Sequence, residues 1–170
     1  SGKPRVVDVI LAPGIQLDSE QLLIFAGSLE KASEHPLGLA VVAEAQRRGL
    51  ELNTPSNFSA LPGFGVKGIV AGKRVLLGNK GLMLENQIDL SSIDTQLNKS
   101  TENGKTPLIV CIDGQVSGFI TAMDTIKPDA KENVLQLKEM GLEVVMLTGD
   151  NFKTAQVVAG QLGIEKVISE

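Results

Sequence analysis

The sequence predicts an α/β chain: an α+β unit in which an antiparallel sheet is flanked by helices, followed by a partial doubly wound α/β segment. Three observations carry this. Two dipeptides, Ala71-Gly72 and Asp113-Gly114, join short β-like runs in the manner of hairpins. Two helical patterns precede the hairpins, with apolar residues at the spacing of a one-sided helix. From Asp124 onward helix and strand alternate, the rhythm of a parallel sheet.

The elements follow in order. Val6 to Leu11, "VVDVIL", reads as a strand ended by Pro13-Gly14. Asp18 with Gln21 forms a capping box ahead of Leu22, Phe25, Ala26 and Leu29 at helical spacing. Pro36 bars its predecessor from helix but suits a first turn, so a second helix is expected over 36–48, stopped by Gly49. Residues 53–62 read mostly as loop, with a short strand around Phe58. Strands at 68–70 and 73–77 form the first hairpin. One or two short helices follow up to Lys99, and strands at 107–112 and 115–123 form the second hairpin. A helix then starts at Pro128, has Val134 and Leu137 on an apolar face and stops at Gly141. The near-continuous apolar run 142–147, "LEVVML", is expected as a parallel strand covered on both faces. A helix at 153–162 and a strand at 167–168 complete the chain.

Composition narrows the function classes. The chain has 170 residues, 42% hydrophobic and 21% charged, which is ordinary for a folded globular chain. A net charge of −4 with dispersed Lys and Arg argues against a nucleic-acid or anionic-membrane surface. Cys111 is the only cysteine, set in the apolar "LIVCID", so it is expected as buried core and excludes an internal disulfide. No apolar run approaches the roughly 20 residues that span a bilayer.

Three stretches could carry chemistry. "LPGFGVKGIV" contains G-x-G-x-x-G at Gly63, Gly65 and Gly68, the spacing of a dinucleotide fingerprint. Its flanks are wrong, because a polar loop precedes it and a hairpin follows, whereas a Rossmann site needs a strand before and a helix after. The glycines could still admit a flat ligand or phosphate to the backbone, or could form a turn with no ligand. "EKASEHPLG" places His35, the only histidine, at the junction of two helices near Glu30. An imidazole there could meet a nucleobase or phosphate, or could be a surface histidine. "VVMLTGDN" delivers Thr148, Gly149 and Asp150 to the carboxyl end of a strand, where open α/β sheets bind phosphoryl groups. Asp150 could equally be a helix N-cap.

Taken in order, "SEHPLG", "PGFGVKG", "LLGN", "DTIKP" and "MLTGD" resemble the nucleotide-binding domain and adjoining phosphorylation-domain segment of heavy-metal P-type ATPases, most of all the copper-transporting branch. The resemblance spans essentially the whole chain. It implies that Glu30 and His35 contact the adenine end of ATP, that Gly63 and Gly65 line the nucleotide cleft, and that Asn79 belongs to the same site. It further implies that Thr148, Gly149 and Asp150 face the transferred phosphoryl, with Asp124 and Lys127 in the hinge-return segment. The family's phosphorylated aspartate lies in D-K-T-G-T, upstream of Ser1, and its Mg²⁺-holding G-D-G-x-N-D lies downstream of Glu170.

The resulting expectation is a cytoplasmic ATP-binding domain of a copper-type pump, inactive in turnover by itself, with ATP and Mg²⁺ carried with it as cofactors and no metal site of its own. Residues 1–14 are expected as a hinge strand, 15–118 as the nucleotide-binding domain and 119–170 as an incomplete, haloacid-dehalogenase-like phosphorylation domain. The partners implied are ATP or ADP and the rest of the pump, namely phosphorylation, actuator and membrane domains, with no nucleic acid and no direct membrane contact. A free-standing phosphatase and a non-catalytic interaction module are the alternatives. On this reading Gly65→Ala should lose nucleotide while the domain stays folded.

Overall fold

The computed structural model describes residues 3–124, 129–148 and 152–169. Six strands form one antiparallel sheet: β1 (Pro4–Leu11), β2 (Ser56–Leu61), β3 (Gly65–Val70), β4 (Lys73–Gly78), β5 (Thr106–Ile112) and β6 (Gln115–Asp124). Their order across the sheet is β1-β6-β5-β4-β3-β2. Both hairpins are pinned by turns with two consecutive positive φ values, 50° and 78° at Ala71-Gly72 and 51° and 85° at Asp113-Gly114. That is the type I′ geometry whose twist matches its strands.

Two helical hairpins cover opposite faces. Between β1 and β2 come α1 (Ser19–Glu30) and α2 (Pro36–Arg47); between β4 and β5 come α3 (Lys80–Glu85) and α4 (Asp94–Glu102). The start of α1 is fixed by the capping box, with Asp18 Oδ1 accepting the Gln21 N–H at 2.8 Å and Gln21 Oε1 accepting the Asp18 N–H at 3.0 Å. Leu22, Leu23 and Leu29 of α1, fully buried, pack with Val66, Val70, Val75, Leu77 and Val110 into one core. Each such leucine contributes about 1.5–3 kcal/mol relative to exposure. Strand alternation sends Ile109, Cys111 and Phe119 to the other face, where they meet Leu82, Met83 and Leu97 in a second core. Cys111 is buried there and its thiol is pushed up to about 11, first by desolvation.

The remaining elements are α5 (Ala130–Glu139), β7 (Val145–Thr148), α6 (Phe152–Leu162) and β8 (Lys166–Ser169), with β7 and β8 paired in parallel. Here the expectation of a covered strand is corrected. The strand begins at Val145, and Leu142, Val145 and Leu147 stand 52%, 41% and 75% exposed. The apolar face expected for α5 is also uncovered, since α5 has no buried residue and Leu137 is 40% exposed. An apolar run reads the same whether or not its neighbours are present, so the pattern alone could not show this. The expected helix start at Pro128 lies outside the described residues.

Two boundaries also moved. β2 is a full strand where mostly loop was expected; as the edge of the sheet it is half exposed and bulged between Ser56 and Ser59, which hid its alternation. β3 begins at Gly65, so Gly68 lies inside the strand rather than at its start. Position 118, the expected domain division, falls within β6, which stays in the six-stranded sheet to Asp124.

Candidate functional site

The junction of α1 and α2 holds a carboxylate in an unusual place. The last turn of α1 is buried, and it carries Glu30 inward until only 5% of the residue is exposed. Room for the carboxylate comes from Gly38 in the first turn of α2, where a β-carbon would stand 2.2 Å from Glu30 Oε2. That oxygen has no hydrogen-bond partner among the described residues. Desolvation raises the Glu30 carboxyl above its ordinary range, opposed in part by a hydrogen bond from Ser33 and, when the ring is protonated, by the His35 charge. An orphaned buried acceptor costs free energy, about 1–3 kcal/mol, unless a ligand donor satisfies it.

His35 sits five residues further on as the N-cap of α2, exposed, with Nδ1 accepting the Leu37 N–H at 3.3 Å. Its own N–H donates to Ser33 Oγ at 3.2 Å. With Nδ1 accepting, the neutral imidazole carries its proton on Nε2 and offers a donor there. Buried acceptor and exposed donor make a recognition pair suited to a ligand with its own N–H and acceptor groups.

The glycine stretch forms the turn between β2 and β3. Gly63 has φ +78° and open space around it, and its exposed carbonyl accepts from Asn79 Nδ2 at 2.7 Å. Asn79 Oδ1 in turn accepts the Leu82 N–H at 3.0 Å, capping α3, so both ends of the amide tie the turn to that helix. Gly65, φ +148°, serves packing: a β-carbon there would stand 2.1 Å from the Leu77 carbonyl oxygen and 2.6 Å from Gly78 Cα. The expectation that Gly65→Ala leaves the domain folded is thereby overturned, because the obstacle is backbone and cannot swing aside. β3 continues beneath α1, where a β-carbon on Gly68 would stand 2.9 Å from Leu29 Cδ1. The Gly63–Gly65 turn thus sits on the strand that underlies the helix ending in Glu30.

Two further residues shape this region and were not singled out from sequence. They are Gly38, which admits the carboxylate, and Gly78, whose β-carbon would meet the Phe64 carbonyl oxygen at 2.1 Å. Both lie inside stretches already quoted, "SEHPLG" and "LLGN", yet close approach is invisible in letters. Thr148 ends β7, while Gly149, Asp150 and Lys127 lie outside the described residues. Asp124 ends β6 in the six-stranded sheet, so it and Thr148 belong to different sheets. Among the described residues no group of three or more His, Cys, Asp or Glu side chains could hold a metal ion.

Comparison with known proteins adds the following. Residues 1–170 match the haloacid dehalogenase-like hydrolase family. The chain is 39% identical over 170 residues to a copper-exporting P-type ATPase of Bacillus subtilis (strain 168), covering 100% of this chain and 21% of the relative. It is 37% identical over 169 residues to copper-transporting ATPase 2 of Rhizobium meliloti (strain 1021), covering 99% and 20%. Among solved structures it is similar to a zinc-transporting PIB-type ATPase in its E2.Pi state, with TM-score 0.82 and 33% identity over 98% of this chain and 26% of that one. The chain spans about a fifth of the length of the curated relatives it matches.

Proposed function

We propose that this chain, which belongs to the haloacid dehalogenase-like hydrolases, is part of a P-type ATPase like the relatives it matches and binds ATP for a heavy-metal pump. The bound ATP would be positioned for phosphoryl transfer to an aspartate outside these 170 residues. The observation that carries this reading is Glu30: a buried carboxylate with one orphaned oxygen, given its place by a glycine, beside an exposed imidazole. Such an acceptor fits the exocyclic amine of adenine, and the Nε2 donor of His35 fits a ring nitrogen or phosphate oxygen. Gly63 would give the ligand a side-chain-free approach to the backbone. Asn79 would act by holding that turn in place, since both its amide ends are already engaged.

Bound ATP supplies a transferable phosphoryl; the protein's part here is grip and direction. Mg²⁺ would ride on the phosphates. Thr148, Gly149 and Asp150 would face the phosphoryl once the nucleotide is delivered, and this chain would not turn over by itself. In the intact pump the nucleotide-binding residues would stand on the cytoplasmic side, with actuator and membrane domains as partners. Among the described residues no helix is long and apolar enough to cross a membrane. Copper as the cargo rests on the curated relatives' names, and the zinc-transporting neighbour shows that the same fold serves another metal.

Titration of the isotope-labelled chain with ATP, followed by amide NMR, tests the proposal. Saturable shifts at Glu30, His35, Gly63, Gly65 and Asn79 are expected, with no phosphate released. Resonances there that stay fixed at millimolar ATP would defeat the reading. Steady phosphate release would favour a free-standing phosphatase, the alternative that the full-length family match keeps in view.

A further inference from the structure

The face of the sheet opposite Glu30 carries a second concavity. On β3, Val66 and Val70 enter the core beneath α1, so alternation turns Lys67 and Ile69 the other way. On β4, Val75 and Leu77 enter that same core, so Arg74 and Leu76 join Lys67 and Ile69. The α3–α4 hairpin covers only part of this face. What remains is a groove of about 380 Å³ lined by Lys67, Ile69, Arg74, Leu76, Asn86 and Ile88, with Asn57 of the edge strand at its rim.

Charge, register, backbone and size agree on what it would take. Lys67 and Arg74 make no ion pair among the described residues, and no acidic side chain lines the groove. Lys67 pairs with Leu76 across the strands and Ile69 with Arg74, so the two cations are diagonal neighbours on one face. Such neighbours are roughly 7–8 Å apart, within reach of a single anionic group. Asn57 holds φ +50° at the bulge of β2, a left-handed conformation in a residue with a β-carbon. Asparagine adopts this conformation more readily than other residues with a β-carbon, and here it shapes the rim of the groove. The volume lies in the roughly 300–1,000 Å³ range of small-molecule sites.

We propose that this groove is a second ligand site, for a small organic anion. Its apolar body would lie on Ile69, Leu76 and Ile88, and its phosphoryl or carboxylate head would be gripped by Lys67 and Arg74. Arg74 supplies a planar fork that can take two oxygens at once, and Lys67 a point charge beside it. The sheet itself separates this site from the Glu30–His35 junction, so the proposal does not depend on ATP binding.

The test is an amide NMR titration of the full chain with phenyl phosphate, with benzoate, with inorganic phosphate and with benzyl alcohol. One of the two aromatic anions should give saturable shifts at Lys67, Ile69, Arg74 and Leu76, and the tighter of the two identifies the head group. Inorganic phosphate should bind at least several-fold more weakly and benzyl alcohol not at all. K67Q/R74Q should weaken the anion at least about tenfold, and R74Q alone by a smaller factor, with melting temperature and the ATP response at His35 unchanged. The proposal is overturned by the absence of saturation, by equal affinity in the two variants and the parent, or by shifts confined to His35 and Gly65. It is equally overturned if bare phosphate binds as tightly as phenyl phosphate.

Discussion

Glu30 costs the fold something that a ligand can return. Its carboxyl is raised above the ordinary 4.5 by desolvation first, so between the unfolded and the folded value the folded chain holds a proton that the unfolded chain has released. Stability from this residue is therefore full below pH 4.5 and is lost as pH rises through the raised folded value. Glu30→Gln removes the titration, and its unfolding free energy from urea melts should overtake the parent's on going from acid to neutral pH, by about 1 kcal/mol. ATP affinity should fall in the same variant. His35 can be dissected differently because it has two jobs. His35→Ala loses both ring and cap, lowering stability by about 1 kcal/mol, whereas His35→Asn keeps a capping side chain. Both should weaken ATP about tenfold by calorimetry, equivalent to about 1.4 kcal/mol, with the melting temperature falling only in the alanine variant. Equal ATP affinity in parent and His35→Asn would remove the imidazole from the site.

At the scale of elements, the β3–β4 pair depends on absent side chains and β1 on a present one. Gly65→Ala should unfold or strongly destabilise the chain, by about 2–4 kcal/mol in denaturant melts, because its β-carbon would collide with the Leu77–Gly78 backbone. Gly63→Ala meets no atom of the described residues within 4 Å and costs only its φ of +78°, about 1 kcal/mol, so it is the substitution that reports on nucleotide. On β1, Asp8 Oδ2 accepts from Lys105 Nζ and from Thr121 Oγ1, each at 2.7 Å, beside a bulge. These partners, Lys105 foremost, hold the Asp8 carboxyl below its usual range, so the stability it lends is present above the unfolded value and fades as pH falls. Asp8→Asn should lose about 1 kcal/mol at neutral pH, modest because the pair is partly exposed, and less in acid. The letters were informative where the signal is local. The capping box at Asp18, both hairpin turns and Pro36 at the head of α2 depend on neighbours in sequence, and each was legible. What depends on distant backbone was not: the approach of Gly65 to Gly78, the pocket that Gly38 opens, and the polar edge strand β2.

For the whole molecule, two sheets of unequal security share one chain. The six-stranded sheet buries a core on each face, while α5 and the β7–β8 pair leave Leu135, Leu137, Met140 and Leu147 exposed between 40% and 75%. Exposed apolar surface and two-stranded edges of this kind favour association. A chain ending at Asp124 should keep its melting transition and its ATP shifts, and should stay monomeric in sedimentation at concentrations where the full chain associates. Equal behaviour of both chains would mean that the α5–β8 surface is innocuous. The six-stranded sheet is also entered and left through adjoining strands, since Pro4 lies opposite Asp124 in the register of β1 and β6. Mechanically this is a zip with both tabs at one end. A load pulling those two residues apart falls on one pair of hydrogen bonds at a time, rather than shearing the ladder all at once. Tension across these two strands would peel β1 away at low force while the β2–β5 strands and their helices remained intact.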